Sequence, residues 1–231
     1  MTLLLEPDLS SYSDEAYEAD LRQLPPQRYD KAMTYRFLAD RKRCVRAYML
    51  LREGLSREYG IQNAPVFDFG SHGKPVLRDF PGLHFSLSHC GNAVLCALDR
   101  RPVGADIEMI RRKNLEHLLS VFSDPEQASI ALADSPETCF TRLWTRKESY
   151  LKLTGEGLTG TKALREIPTE DNGAVHFETV IREAEGFVYT VCQWTVPPAY
   201  DRLLPSCQKA TAPAAATFSE STPWAIGMRT V

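Results

Sequence analysis

The sequence predicts an α+β protein made of two comparable halves, because its helical and strand-like segments come in blocks. A basic run with helical spacing at residues 27–58 is followed by strands that alternate apolar and polar residues as far as residue 108. Helical spacing then returns, and two further strand-like segments follow. Elements grouped in this way favour an α+β arrangement over a parallel α/β sheet. The turn at residues 99–102 is the predicted boundary, so that residues 1–100 and 101–196 form the two halves.

Composition excludes several classes of protein. With 231 residues the chain is long enough to bury a core, and its net charge of -3 provides no general attraction to nucleic acid or to a membrane. Its six cysteines show no metal-ligand spacing, and several stand in apolar runs, which is typical of reduced, buried thiols. No signal peptide and no apolar run of about 20 residues is evident. We therefore expect a cytoplasmic protein without a nucleic-acid or membrane partner.

The first half begins with a strand near residues 2–5 and a short helix from Asp14, which Pro25 and Pro26 end. The basic helical run follows as far as Gly60. Its candidate core residues are Phe37, Val45, Tyr48, Met49 and Leu51.

Short strands occupy the centre of the chain. Residues 67–69 predict one strand and residues 70–73 a turn. Residues 84–89 and 93–98 predict the two strands of a hairpin, and residues 103–108 predict the strand that follows it.

Helices dominate the start of the second half. Residues 114–122 have helical spacing, Ser123 is suited to cap the next helix, and Pro136 begins a helix that runs to about Leu153. Residues 174–180 and 187–194 predict strands. Residues 197–231 are rich in Pro, Ala, Ser and Thr, and we expect this segment to be loosely ordered.

Two of these elements carry residues suited to phosphate chemistry. Asp106 and Glu108 are two apart on a strand, so both carboxylates leave the same face. Glu148 and Lys152 are four apart and share one stripe of a helix with Trp144. If strand and helix meet, the three acids can bind a divalent cation beside a proton donor. Acids that simply face solvent fit the spacing equally well.

Two details bear on that choice. Gly104, just before the acids, would let another backbone or a ligand approach closely. An ordinary surface ion pair is the usual interpretation of Glu148 and Lys152, but Trp144 and Leu151 indicate a buried helix. A buried lysine near a polyphosphate can neutralise or protonate a leaving oxygen.

Several other residues are compatible with phosphate binding without requiring it. A plain turn explains the sequence around Lys74, and a histidine bonded to backbone explains His89. Arg28, Lys31 and Arg43 fit a solvated helix face as well as a phosphate site.

The order of four motifs carries more information than any one of them. GKP at residues 73–75, HFSLSH at 84–89, GADIE at 104–108 and WTRKESYLK at 144–152 resemble the Sfp-type 4′-phosphopantetheinyl transferases. The resemblance covers roughly residues 28–158. Its departures are small: Ala105 stands where a branched residue is usual, and Cys90 where a small polar one is common.

The resemblance implies an activity. Such enzymes move the 4′-phosphopantetheine arm of coenzyme A onto a serine of an acyl or peptidyl carrier protein and release 3′,5′-ADP. It implies a monomer with two similar α/β halves, related by pseudo-two-fold symmetry, and an active site in the cleft between them. The carriers of fatty acid, polyketide and nonribosomal peptide synthesis are all compatible with it.

The resemblance also implies roles for individual residues. Mg²⁺, or Mn²⁺, would be held by Asp106, Glu108 and Glu148. Glu148 would take the proton of the carrier serine, and Lys152 would assist the leaving phosphate. The implied coenzyme A contacts are Arg28, Lys31, Arg43 and His89 at the 3′-phosphate, Gly73, Lys74 and Pro75 at the adenine, and Ser88, Asp106, Lys147 and Lys152.

The segment Met109-Ile110-Arg111-Arg112-Lys113 offers an apolar and basic patch for an acidic carrier, although an exposed loop explains it equally well. Two other functions use the same residues. A Mg²⁺-dependent phosphohydrolase of coenzyme A or a nucleotide would need no carrier. A non-catalytic module that binds coenzyme A or a carrier would not need Glu148 and Lys152.

Overall fold

The computed structural model describes residues 1–70, 72–110, 115–157 and 161–196, and it combines helices with antiparallel sheets, as the sequence predicts. The helices are α1 Asp14–Leu21, α2 Pro26–Met33, α3 Leu38–Tyr59, α4 Asp124–Leu132, α5 Pro136–Thr154 and α6 Thr161–Glu166, with a 3-10 helix at Glu116–Val121. The strands are β1 Thr2–Glu6, β2 Phe67–Phe69, β3 Pro75–Leu77, β4 His84–Cys90, β5 Ala93–Asp99, β6 Val103–Met109, β7 Val175–Arg182 and β8 Phe187–Trp194. The segment 197–231 lies outside the described residues.

Two three-stranded antiparallel sheets form the framework. The first has the order β1-β5-β4 and the second β6-β8-β7, while β2 and β3 make a separate two-stranded ribbon. Helix α3 packs on the first sheet and α5 on the second. The first sheet ends at Asp99 and the second begins at Val103, on either side of the predicted boundary. The division into two halves and their pseudo-two-fold relation stay predictions.

Serine side chains join the two sheets where β4 runs beside β6. Ser86 Oγ accepts a hydrogen bond from the Ala105 amide at 2.9 Å, and Ser88 Oγ accepts one from the Ile107 amide at 3.3 Å. Both serines are buried, although the alternating pattern of a half-buried strand predicts burial of the opposite, apolar face. The strand that carries Asp106 is therefore held against the first sheet by hydroxyl groups.

The helical run at residues 27–58 is the main error of the sequence-based prediction. It is interrupted after Met33, and α3 starts anew at Leu38. Phe37 has extended backbone angles at the N-cap of α3 and is 62% exposed, so its assignment to the core was wrong. Hydrophobic spacing continues across this break, and spacing alone therefore cannot locate it.

Helix α5 is defined by clear signals at both ends. Ser135 accepts a hydrogen bond from the Thr138 amide, Pro136 fills the first turn, and Gly155 ends the helix with a φ of 80°. A Cβ added to Gly104 on β6 would lie 2.0 Å from the Ser149 carbonyl oxygen. Of the two partners expected at Gly104, another backbone or a ligand, the structure shows a backbone, which sets α5 directly on β6.

In the described part of the chain, no helix combines the length and the apolar character that crossing a bilayer would require.

Candidate active site

Asp106 lies at the centre of the site, on β6 and facing α5. Its side chain is buried, and Oδ1 accepts hydrogen bonds from Lys152 Nζ at 2.6 Å and from Ser88 Oγ at 2.8 Å. Its other oxygen, Oδ2, is also buried but has no hydrogen-bond partner among the described residues. A buried carboxylate oxygen without a donor is costly, which makes it a candidate ligand for a cation.

Glu148 projects from α5 into the same region. Oε1 of Glu148 is buried and, within the described ranges, receives no hydrogen bond either. Burial and, to a smaller extent, the negative charge of Asp106 raise the pKa of Glu148 to about 7, although Lys152 opposes both effects. A carboxyl group with a pKa near neutrality can accept a proton at physiological pH.

Lys152 joins the acids of the two elements. Its ammonium also donates to Ser88 Oγ at 2.9 Å. Burial lowers the pKa of Lys152, but Asp106 and Glu148, together with Glu108, outweigh that effect and leave the pKa raised. All three predicted acids therefore act on one ammonium group, which stays protonated at neutral pH.

These observations decide how far the predicted metal site is formed. Among the described residues, no group of three His, Cys, Asp or Glu side chains is close enough to form a complete metal site. Asp106 and Glu148 nevertheless each present a buried oxygen without a donor, and Glu108 lies partly exposed on the same strand face as Asp106. The donors are all oxygen atoms, so the arrangement fits Mg²⁺ or Mn²⁺.

A second group of residues is cationic and lies around α2 and α3. The Arg28 guanidinium stands over the Tyr48 ring at 5.5 Å and the Phe67 ring at 5.8 Å, and its Nε is buried without a partner in the described structure. Lys31 stands over the Tyr35 ring at 5.4 Å. Burial lowers the pKa of Lys31, and the neighbouring Arg28 lowers it further. Cations confined in this way favour the binding of an anion.

His89 lies between the cationic and the acidic groups. Burial and, to a smaller extent, the charges of Arg43 and Lys152 lower its pKa to about 4. The imidazole is therefore neutral at pH 7 and keeps one N–H to donate. Arg43 donates to the Gly91 carbonyl at 2.5 Å and pairs with Asp40. Arg43 and Lys152 both lower the pKa of His89, so the cationic and the acidic groups of residues lie next to each other.

The GKP segment approaches the end of α5. Gly73 has a φ of 81°, in the left-handed region that glycine adopts readily, and Pro75 begins β3. Lys74 Nζ donates to the Leu153 carbonyl oxygen at 3.0 Å. Burial lowers the pKa of Lys74 to about 8.

Lys147 is not brought to this site. It is fully buried next to Glu148 in sequence but points away from it, since successive residues of a helix do not share a face. Its ammonium pairs with Glu126 at 3.0 Å and donates to the carbonyl oxygens of Leu164 and Ile167. Lys147 is thus engaged by the protein, and the structure does not bring it together with the other residues predicted to contact coenzyme A.

We expect Lys147→Met to lower the free energy of unfolding by about 3 kcal/mol, because Glu126 would lose its buried cation. The fraction that folds should keep a coenzyme A KM within about threefold of the original, since no ligand contact is removed. Chemical unfolding and steady-state kinetics measure the two effects. The double variant Lys147→Met, Glu126→Gln should recover part of the stability, and a large rise in KM would restore Lys147 to the ligand contacts.

Sequence reasoning missed Ser86 and Glu126. Ser86 resembles any alternating strand residue, and its bond to β6 depends on how two distant segments pack. Glu126 belongs to the capping box of α4 with Ser123, a local signal that indicates a helix start and says nothing of Lys147.

The family profile described as the 4′-phosphopantetheinyl transferase superfamily matches residues 102–200, which include β6 and α5. The 4′-phosphopantetheinyl transferase psf-1 of Bacillus pumilus is 31% identical over 199 residues, which cover 83% of this chain and 84% of that protein. This chain belongs to the 4′-phosphopantetheinyl transferase superfamily.

Other relatives agree with that assignment. The 4′-phosphopantetheinyl transferase Sfp of Bacillus subtilis is 29% identical over 81% of this chain and 84% of its own length. The 4′-phosphopantetheinyl transferase HetI of Nostoc is 34% identical over 66% of this chain and 73% of its own length. The chain is therefore an enzyme of the phosphopantetheinyl transferase class, as the motif order in the sequence predicts.

Proposed function

We propose that this phosphopantetheinyl transferase moves the 4′-phosphopantetheine arm of coenzyme A to a serine hydroxyl of an apo acyl or peptidyl carrier protein, with a divalent cation, and releases 3′,5′-ADP. One observation carries the proposal for this chain. Asp106, Glu148 and Lys152 meet between β6 and α5, and two of their buried carboxylate oxygens have no donor in the described structure. Pyrophosphate chemistry needs such a combination of cation ligands, base and acid.

The cation would be held by Asp106 and Glu148, with Glu108 as a further ligand. When bound, it would act as a Lewis acid that neutralises the negative charge of the pyrophosphate. Mg²⁺ and Mn²⁺ both accept these oxygen donors.

The chain's own residues would handle the proton and the leaving group. The Glu148 carboxylate would accept the proton of the carrier serine directly or through water. Lys152 remains an ammonium ion and would neutralise the phosphate oxygen that leaves. Ser88 donates to Asp106 and would keep this carboxylate in place while also lying within reach of the substrate.

Coenzyme A would extend from the acidic group toward the cationic group. Arg28, Lys31 and Arg43 would bind the 3′-phosphate, and neutral His89 would donate a hydrogen bond to it. The adenine would lie along the loop formed by Gly73, Lys74 and Pro75. Lys152 of the acidic group and Arg43 of the cationic group both lower the pKa of His89. This effect supports the placement, because both groups must then lie near the same side chain.

We propose residues 109–113 as the carrier-binding patch. Met109 is 42% exposed at the end of β6, directly after the acids, whereas residues 111–113 lie outside the described residues. Basic side chains here would attract the acidic surface around a carrier serine.

Charge reversal tests this patch. The double variant Arg111→Glu, Arg112→Glu should raise the carrier KM about tenfold, because each reversal replaces attraction by repulsion. Raising the salt concentration should raise the carrier KM of the original enzyme toward that of the variant. The coenzyme A KM serves as the internal control, and an unchanged carrier KM would remove the patch from the proposal.

Several further properties belong to the proposal. Five cysteines in the described part are free thiols, four of them buried, which agrees with a reducing cytoplasm. A monomer is proposed as well, and sedimentation of the purified chain would test it.

Mass spectrometry of apo-carriers tests the transfer itself. With coenzyme A and Mg²⁺, we expect a carrier serine to gain about 340 Da, the mass of the arm. A chelator should abolish the gain, since the cation neutralises the pyrophosphate. A parallel reaction without carrier should leave coenzyme A intact. Rapid release of phosphopantetheine in that reaction, without any modified carrier, would favour a phosphohydrolase instead.

A further inference from the structure

The Lys74 side chain reaches from the first half of the chain to the last turn of α5. Its ammonium donates to the Leu153 carbonyl oxygen at 3.0 Å, and its Cδ would lie 3.3 Å from a Cβ added to Gly155. The final carbonyl groups of a helix lack partners within the helix, and a cation at this end is favourable. Lys74 thus satisfies one of these carbonyls and caps α5 from outside.

The backbone of Leu153 has a second contact, with β6. A Cβ added to Gly104 would lie 2.4 Å from the Leu153 amide nitrogen and 3.0 Å from its Cα, so β6 touches the backbone of this turn. Leu153 directly follows Lys152, whose ammonium bonds Asp106. The backbone next to Lys152 is therefore in contact with both Gly104 and Lys74.

Backbone hydrogen bonds hold the described residues next to Lys74. The Gly70 amide donates to the Lys74 carbonyl at 2.9 Å, and the Gly73 amide donates to the Gly70 carbonyl at 2.9 Å. Pro75 then pairs with Phe69 at the start of the β2-β3 ribbon. A change in this loop moves the Lys74 ammonium, since the side chain starts from a backbone held by these bonds.

We propose that Lys74 is a positioning residue: its ammonium holds the last turn of α5 so that Lys152 stays aligned with Asp106, and the adenosine end of coenzyme A acts on the catalytic helix through this contact. This inference rests on the proposed function, which places the adenine along the loop. The backbone of the loop would face the ligand, while the ammonium faces the helix instead of a phosphate group.

Kinetics and ligand binding separate a positioning role from a ligand contact. Lys74→Met keeps the length of the side chain and removes the charge. We expect kcat to fall about tenfold, because a small displacement of Lys152 weakens catalysis, while the Kd of 3′,5′-ADP stays within about threefold. Lys74→Arg should recover most of the kcat. Lys31→Met, which removes a proposed phosphate contact, should instead raise the Kd of 3′,5′-ADP.

A matched control removes a similar contact elsewhere. Lys42 donates to the Tyr12 carbonyl oxygen at 2.8 Å in the first half of the chain. Lys42→Met should therefore leave kcat within about twofold. An equal loss of kcat in this variant would mean that the effect of Lys74→Met reflects general destabilisation, and it would overturn the proposal.

Amide hydrogen exchange measures how often the last turn of α5 opens, independently of enzymatic activity. In Lys74→Met, the amides of residues 151–155 should exchange about tenfold faster, since the last turn opens more often. 3′,5′-ADP should slow these amides in the original protein but not in the variant. Equal protection by 3′,5′-ADP in both proteins would overturn the coupling.

Other outcomes also decide the question. A tenfold rise in the Kd of 3′,5′-ADP with unchanged exchange would make Lys74 a ligand cation, and no change in any measurement would leave it without a role. Either result overturns the proposal. Failure of the original protein to modify any carrier would instead refute the proposed function, while the exchange measurement would still judge the contact between Lys74 and α5.

Discussion

Glu148→Gln is expected to abolish most of the transfer and yet to make the metal-free protein more stable. Removal of a base costs about 10²–10⁴ in rate, and loss of a cation ligand adds to this. The stability gain arises because burial and the charge of Asp106 raise the pKa of Glu148 to about 7. Its ionised form is therefore unfavourable in the folded protein, and a neutral glutamine avoids that cost.

The stability difference between Glu148→Gln and the original protein should depend on pH. The pKa of Glu148 is higher in the folded protein than the 4.5 that is ordinary for a glutamate, so the folded state binds the proton more tightly. The original protein loses stability as the pH rises from about 4.5 to about 7, and the loss is complete above that range. With a chelator at pH 8, Glu148→Gln should be more stable by roughly 1–3 kcal/mol, whereas at pH 4 the two should be equal.

Chemical unfolding at both pH values measures the change in stability, and carrier modification measures the loss of transfer. Glu178→Gln is the matched control, because Glu178 is exposed on β7 and should change neither quantity. Near-normal turnover in Glu148→Gln would show that another group takes the serine proton. Equal free energies of unfolding for Glu148→Gln and the original protein at pH 8 would show that ionisation of the buried carboxyl group does not destabilise the fold.

Gly104→Ala is the second change with a large expected effect. The added methyl group would lie 2.0 Å from the Ser149 carbonyl oxygen and 2.4 Å from the Leu153 amide nitrogen, and both are backbone atoms that cannot rotate away. Forcing α5 from β6 should cost about 3 kcal/mol or more. Transfer should fall as well, because Glu148 and Lys152 move with the helix while Asp106 stays on the strand.

Thermal unfolding compared with a second glycine checks this prediction. Gly173→Ala is a suitable control, since no atom in the described part of the chain lies within 4 Å of the added methyl group. It should change the free energy of unfolding by less than about 0.5 kcal/mol. A Gly104→Ala protein as stable and active as the original would mean that α5 and β6 are farther apart than the structure shows.

The sequence predicts what depends on local signals. Helix α5 has Ser135 and Pro136 at its start and Gly155 after its end, and the strands near Asp106 alternate clearly, so both elements were found. The faces of Asp106, Glu148 and Lys152 follow from the periods of strand and helix. Gly104 indicates the close approach of a backbone or a ligand, although the sequence cannot decide between the two.

What the sequence leaves open depends on packing between distant segments. Lys147 stands beside Glu148, and only the packing of α4 and α6 against α5 shows that it belongs to a buried ion pair with Glu126. The hydrogen bond from Lys74 to Leu153 joins residues 79 positions apart, and no local sequence pattern predicts it. The pKa of Glu148 likewise depends on burial and on Asp106, which a linear pattern does not contain.

Binding of Mn²⁺ tests the central claim most directly, namely that Asp106 and Glu148 hold one cation between β6 and α5. Electron paramagnetic resonance of Mn²⁺ with coenzyme A counts the bound ions in the original protein, in Asp106→Asn and in Glu148→Gln. We predict one ion per chain in the original protein and at least a tenfold weaker binding in each variant, because each loses a carboxylate ligand. Unchanged binding of Mn²⁺ in both variants would contradict the account.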